Sequence, residues 1–121
     1  MLDIQIILSA LWIALIATYL LGDVLRIFSG DFKAGEIGGK KLTQMQWLGI
    51  SILMVIPIIM IIMSLILPYS INRWANIFLA IFLFFFNVIG LQSYPSFYDK
   101  FLILVGLVFN VMTIFYAWNW V

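Results

Sequence analysis

The chain has 121 residues, of which 66% are hydrophobic and only 9% are charged. Soluble domains carry roughly 25% charged residues, so this composition excludes a soluble globule and indicates an integral membrane protein. A net charge of +1 gives no electrostatic basis for binding nucleic acid. The sequence has no Cys and no His, which removes the usual zinc and haem ligands and the commonest general base. We therefore expect no cofactor and no metal site.

Four long windows without a charged residue determine the fold class. They span residues 4–22, 42–72, 74–98 and 101–121. Each is close to the ~20 residues that a helix needs to cross a ~30 Å hydrocarbon core. Their apolar runs do not alternate with polar residues, as the strands of a membrane barrel would. The sequence predicts one all-α domain over residues 1–121, an antiparallel bundle of four transmembrane helices at about 4–28, 44–67, 71–91 and 97–120.

Helix 1 carries ionisable residues at its carboxyl end. Tyr19, Asp23 and Arg26 share one helical face with Trp12 and Ile16. An ionisable group near membrane depth is costly and is by default a functional-site hypothesis, so we take Tyr19, Asp23 and Arg26 as candidate ligand- or ion-binding residues. The alternative is a surface ion pair: Asp23 and Arg26 lie three residues apart and would mark where the helix leaves the lipid.

Helix 1 also has a small residue at every fourth position. Such spacing lets a second helix approach closely, which matters in lipid because apolar burial provides no driving force there. We interpret this series as a helix-packing surface and expect a homodimer or another membrane protein against it. Its members are Ala10, Ala14, Thr18 and Gly22.

The polar, glycine-containing loop 29–43 leads into helix 2. Thr43 followed by Gln46 predicts a capping box at the start of that helix. Pro57 lies in its middle, where it deletes a backbone hydrogen bond and bends the helix. The proline is therefore a hinge candidate, with a static bend as the alternative.

Helices 3 and 4 are predicted from a short link and a second cap. The link Pro68-Tyr69-Ser70 makes helices 2 and 3 antiparallel neighbours. Ser96 with Asp99 predicts a capping box at the start of helix 4. Each helix carries one stripe of polar and small residues, which we expect to face the interior. The stripes are Asn76, Ala80, Asn87 and Gly90 on helix 3, and Gly106, Asn110, Thr113, Ala117 and Trp120 on helix 4.

The distribution of cations predicts an orientation. Five of the six cations flank the loops 29–43 and 92–97, and only Arg73 lies at the opposite end. The positive-inside rule then places both loops in the cytoplasm and both termini outside. We expect a multi-pass protein of the cell (inner) membrane.

This orientation gathers a polar layer near the cytoplasmic end of the bundle. Gln46, Asn87 and Gln92 join Tyr19 and Asp23 at that level, and Asn110 lies deeper. If they face inward, they would hold a small polar ligand or relay a proton or cation. The alternative is that the amides form interhelical hydrogen bonds, each contributing about 1 kcal/mol.

Several short motifs together resemble a known family. They are Leu8-Ser9-Ala10-Leu11-Trp12, Tyr19 with Gly22-Asp23-Val24, Ile56-Pro57, Asn72-Arg73-Trp74-Ala75-Asn76 and Tyr116-Ala117-Trp118. The set resembles a family of small four-helix prokaryotic membrane proteins that is catalogued as a domain of unknown function. The resemblance implies a single four-helix domain in a bacterial or archaeal inner membrane and carries no activity. A looser similarity to DoxX-like proteins rests on size and helix count alone.

Three functions follow as hypotheses. The first is a non-catalytic module that oligomerises or binds a partner, because helix 1 has a small-residue surface and no catalytic residues are evident. The second is a small transporter or channel that uses Asp23, with Pro57 as its hinge. The third is a membrane enzyme acting on a lipid-like substrate, and a lipid-accessible cavity ending at Asp23 would favour it. We lean towards a protein that is not an enzyme, since no nucleophile–base pair is visible.

Overall fold

A computed structural model of the chain describes residues 3–33, 35–37, 39–91 and 96–120. Within these residues, four helices are long and apolar enough to cross a membrane. The predicted class of a four-helix membrane bundle is therefore confirmed. The helices are α1 (Ile4–Phe28), α2 (Gln44–Ile66), α3 (Tyr69–Leu91) and α4 (Phe97–Trp118).

The loop between α1 and α2 contains a small hairpin that the sequence analysis missed. Strand β1 (Glu36–Ile37) pairs antiparallel with β2 (Lys40–Lys41). Gly39 in the connecting turn has a φ of +81°, a conformation that residues with a Cβ rarely adopt. A Gly-Gly pair between two short runs of sequence is a recognised hairpin signal. Ile37 of β1 lines cavities together with residues of α2 and α3.

The helices pack around α1 and α4. Helix α1 lies against both α2 and α4, and α4 also lies against α3. Helices α2 and α3 are packed much less closely, although a two-residue link joins them. Their hydrogen bonds, between Ser64 and the side chains of Asn72 and Asn76, lie near that link. The predicted pairing of helices 2 and 3 therefore holds at the link, and a groove separates their other halves.

One of the two predicted capping boxes is confirmed and the other is wrong. The Gln46 backbone N–H donates to Thr43 Oγ1, and the Thr43 N–H donates to Gln46 Oε1. Ser96 occupies the N-cap of α4 but makes no capping bond. Its hydroxyl instead donates to the Asp31 carboxylate, while Asp99 pairs with Arg26. Charge-assisted partners from α1 and its loop outcompete the neutral backbone amides.

The middle of the bundle is apolar. Its core consists of Trp12 and Leu15 of α1, Met60 of α2, and Ala80 and Leu83 of α3. Polar contacts lie on both sides of this cluster: Ser64 with Asn76 towards the termini, and Tyr19 with Asn87 towards the loops. The interior is thus divided into two polar layers with a dry layer between them.

The polar layer at the end that carries the termini is a hydrogen-bonded network. Asn76 Oδ1 accepts from Trp12 Nε1 at 2.7 Å and from the Ser64 hydroxyl at 3.3 Å. Asn76 Nδ2 donates to Asn72 Oδ1, and Asn72 Nδ2 donates to the Ser64 carbonyl oxygen. These residues are fully buried and their polar atoms are paired, so desolvation is offset. The network joins α1, α2 and α3.

Asn76→Ala should destabilise the bundle by about 2 kcal/mol, because it leaves the buried Trp12 indole N–H without its acceptor. The measurement is the free energy of unfolding in mixed detergent micelles. Asn119→Ala is the matched control, since that exposed side chain bonds only to Phe115 of its own helix. Equal losses for the two variants would contradict a structural role for the network.

Candidate functional site

One guanidinium organises the end of the bundle that carries the loops, which we call the charged end. Arg26 Nη1 donates to Asp99 Oδ1 at 2.7 Å, and Nη2 donates to Asp23 Oδ1 at 2.9 Å. The exposed fractions of the side chains are 0% for Asp99, 13% for Arg26 and 55% for Asp23. The ion pair suggested by the spacing of Asp23 and Arg26 is present. A second, buried partner from α4 extends it into a triad.

Gly22 makes room for this guanidinium. A Cβ at Gly22 would lie 3.0 Å from Arg26 Nη1 and 3.3 Å from Nη2. The absence of a side chain thus lets the Arg26 head lie against its own helix and reach Asp99 of α4. Gly22 was proposed as a helix-packing residue on its spacing alone, and here its small size serves an ion pair.

The other small residues of α1 do not form one continuous contact. Ala10 is exposed, and Ala14 and Thr18 are partly buried. The Thr18 hydroxyl donates to the Ala14 carbonyl oxygen within the helix. A surface for a second protein at Ala10 therefore stays a prediction.

A second polar feature lies one turn deeper. Asn87 Nδ2 of α3 donates to the Tyr19 hydroxyl of α1. Asn110 of α4 is 1% exposed and approaches the same hydroxyl, yet neither of its amide atoms makes a hydrogen bond of standard geometry. Three predicted site residues from three helices therefore meet at one level. An unsatisfied buried amide costs about 1–3 kcal/mol, so Asn110 is not explained as a simple interhelical hydrogen bond.

The groove between α2 and α3 opens directly onto these polar groups. Its volume is about 230 Å³. Tyr19 and Asn87 form its floor, and Asp23 and Arg26 lie at its end. Its walls are apolar and come from both helices and the hairpin. The wall residues are Ile37, Ile50, Leu53, Met54, Leu83 and Phe86.

The groove has the hairpin at one end and the middle of the bundle at the other. Ile37 and Ile50 line it and also two neighbouring cavities of about 300 and 450 Å³. Towards the other end, Leu83 of the groove wall belongs to the dry apolar cluster. The groove therefore adjoins the hairpin through Ile37 and the apolar cluster through Leu83.

Two other predicted residues stand apart from this site. The exposed Gln46 side chain accepts from the Thr43 N–H and lines the neighbouring cavity of about 450 Å³, away from the Tyr19–Asn87 pair. The Thr43 N–H is a local backbone donor, and it holds the Gln46 side chain at the start of its own helix. Pro57 is buried within α2, and its role as a hinge stays a prediction. Gln92, expected in the same layer, and the rest of 92–95 in the second loop lie outside the described residues.

Asp99 is not among the predicted site residues, because its spacing from Ser96 indicates a helix cap. The buried stripe of α4 contains a signal that would have found it. Counting back seven residues from Gly106, which is buried against Tyr19 and Leu15, reaches Asp99 on the same helical face. A carboxylate on a buried stripe requires a cation, and Arg26 supplies it.

A further set of contacts fixes the loop to α4. Asp31 Oδ2 accepts hydrogen bonds from the hydroxyls of Ser96 and Tyr98, and Ser29 bonds to Tyr98. The bonds from Ser96 and Tyr98 lower the pKa of the Asp31 carboxyl from its ordinary value. The start of α4 is therefore held to α1 both inside the bundle, through Asp99, and at its surface.

Comparison with known proteins identifies one protein family. The model of the family of unknown function DUF6326 matches residues 3–121. No curated protein and no solved structure matches the chain. The resemblance to a small four-helix family of unknown function is thus confirmed, whereas the looser DoxX-like similarity gains no support.

Asp99→Asn should lower the free energy of unfolding by about 3 kcal/mol, because it weakens a buried ion pair and leaves Arg26 less well compensated. Asp23→Asn should cost less than about 1 kcal/mol, since the Asp23 side chain is half exposed and its pair is screened by solvent. Both are measured by unfolding in mixed micelles. Similar losses for the two variants would show that burial of Asp99 does not govern the triad.

Proposed function

The chain belongs to the family of unknown function DUF6326, and from that premise we propose that it binds an amphiphilic molecule of the bilayer in the groove between α2 and α3. One observation carries this proposal: a lateral cavity of about 230 Å³ whose walls are apolar and whose floor is polar. Small-molecule sites are typically apolar clefts with a few placed polar groups. The protein is thus a small multi-pass membrane protein with a non-catalytic binding role.

The two kinds of lining correspond to the two parts of an amphiphile. The side chains of Leu53, Met54 and Leu83 suit an apolar chain, for which the groove replaces lipid contacts by protein contacts. The Tyr19–Asn87 pair and the accessible carboxylate of Asp23 suit a polar head, which would otherwise lack partners at this depth. The partner expected for a non-catalytic binding module is, in this proposal, a lipid-like molecule.

Binding is favoured over conduction because an apolar cluster lies next to the groove. A transported ion would have to leave the Tyr19–Asn87 level and cross the dry layer that contains Leu15 and Leu83. The lipid-like substrate of the enzyme hypothesis would occupy the same groove. The polar groups that line it offer hydrogen bonds and charge, which are suited to binding a polar head group.

We propose that the charged end faces the cytoplasm and that the membrane is the inner membrane of a prokaryotic cell. The support is the excess of cations at that end, which is the basis of the positive-inside rule. The cations there are Arg26, Lys33, Lys40, Lys41 and Lys100, against Arg73 at the other end.

Sidedness can be measured with single cysteines, because the chain has none of its own. Gln44→Cys and Asn119→Cys change exposed, neutral residues at opposite ends of the bundle. We expect a membrane-impermeant maleimide to label Cys at 119 in intact cells and to label Cys at 44 only after lysis, because short cation-rich loops remain cytoplasmic. The reverse pattern would invert the proposed orientation.

The groove can be tested with a diazirine-bearing monoacylglycerol, an amphiphile with an uncharged head, in phosphatidylcholine nanodiscs. We expect cross-links at the walls formed by Leu53, Met54 and Phe86. Met54→Trp fills the groove and excludes about two methylenes of the probe, which should lower labelling about tenfold. Met112→Trp, on an exposed face of α4, is the matched control and should leave labelling unchanged.

Cross-links spread over all lipid-facing surfaces, with no effect of Met54→Trp, would overturn the proposal. The control variant guards against a general effect of a new indole in a membrane helix. Both variants should retain the circular dichroism of a helical bundle.

A further inference from the structure

We infer that the preferred occupant of the groove is a cationic amphiphile, an alkyl amine whose ammonium is bound by Asp23. This inference rests on the proposed function of the groove and assigns the charge of the head group. It follows from the acceptor atoms beside the groove, from the two carboxylates that share Arg26 and from the aromatic lining.

The first argument is the state of the Asp23 carboxylate. Its Oδ1 accepts from Arg26 at 2.9 Å, whereas no described residue donates to its Oδ2. The side chain is 55% exposed and lies at the junction between the groove and the cavity of about 300 Å³. An ammonium group at this junction donates to Oδ2 in a charge-assisted hydrogen bond.

The second argument is that the groove floor also presents an acceptor. Asn87 uses its amide Nδ2 to donate to the Tyr19 hydroxyl, so its carbonyl Oδ1 is the atom that remains. Asp23 Oδ2 and Asn87 Oδ1 are therefore two acceptors to which no described residue donates. An ammonium has only donors, so it can donate to both of them.

The third argument is the net charge. Arg26 binds two carboxylates, and the triad with Asp23 and Asp99 sums to −1. Lys33 and Glu36 of the loop line the adjoining cavity, and their opposite charges cancel. Lys40 lines the outer cavity, which does not include Asp23. Around Arg26 there is therefore one carboxylate more than there are cations, and Asp23 is the exposed one of the two.

The aromatic lining favours the same head group. The rings of Tyr19 and Phe86 line the groove beside Asp23. Ring faces attract ammonium groups and the polarised methylenes next to them. The arrangement combines an accessible carboxylate with aromatic surfaces, and these two elements stabilise a cation jointly.

The test is competition against the monoacylglycerol photoprobe by dodecylamine, dodecanol and dodecanoate, which share one chain length and differ in head charge. Near neutral pH the amine is protonated. In the wild-type protein we expect dodecylamine to protect the groove at a concentration about tenfold lower than dodecanol, and dodecanoate to protect least. Asp23→Asn should abolish the advantage of the amine over the alcohol. Asp3→Asn, an exposed carboxylate at the opposite end, should retain it.

The outcomes separate the two proposals. Equal protection by the three competitors, or an amine advantage that survives Asp23→Asn, would overturn the cationic head while leaving the groove intact. Absence of probe labelling at the groove would instead overturn the proposed function. Because the neutral probe also labels the Asp23→Asn protein if the groove persists, loss of the amine advantage cannot be confused with unfolding.

Discussion

The bundle depends on the buried contact between Arg26 and Asp99. Each ion alone would be costly at this depth, so neither helix can present its charge to lipid, and the pair holds α1 and α4 together at the charged end. Gly22 allows the guanidinium to lie flat against α1, and Asp23 takes its remaining side. The triad that fixes the packing also leaves the Asp23 side chain half exposed. The stability of this end and the proposed binding of a ligand there therefore depend on the same residues.

The two polar layers differ in how completely their polar groups are paired. The Asn76 network is buried and mutually hydrogen-bonded, and it ties α3 to α1 and α2. At the other level, Tyr19 and Asn87 pair with each other while Asn110 is left without a standard hydrogen bond. The dry cluster keeps the layers separate. The first layer is therefore fully paired, whereas the second retains the amide of Asn110 without a standard hydrogen bond.

The sequence predicts features that follow from the properties of single residues, such as the membrane helices. It does not predict which of two possible partners a side chain bonds. The absence of charge over twenty-residue windows was sufficient for four helices, because the bilayer penalises every exposed charge. Gln46 and Asp99 show the limit. Each lies in a capping signature, but only Gln46 makes the capping hydrogen bond, with the Thr43 N–H. Asp99 pairs instead with Arg26 of α1. A local pattern cannot reveal a stronger partner that is 73 residues away.

The groove borders the half of α2 that contains no buried residue. The buried residues of α2, Pro57, Met60 and Ser64, all lie in its second half, whereas the first half from Gln44 has none. Pro57 stands at the boundary between the two halves and lacks the backbone N–H that would stiffen it. A hinge at this point would widen or narrow the groove beside Leu53 and leave the Asn76 network undisturbed. Pro57 therefore lies between the half of α2 that contains the other buried residues and the half whose Ile50, Leu53 and Met54 line the groove.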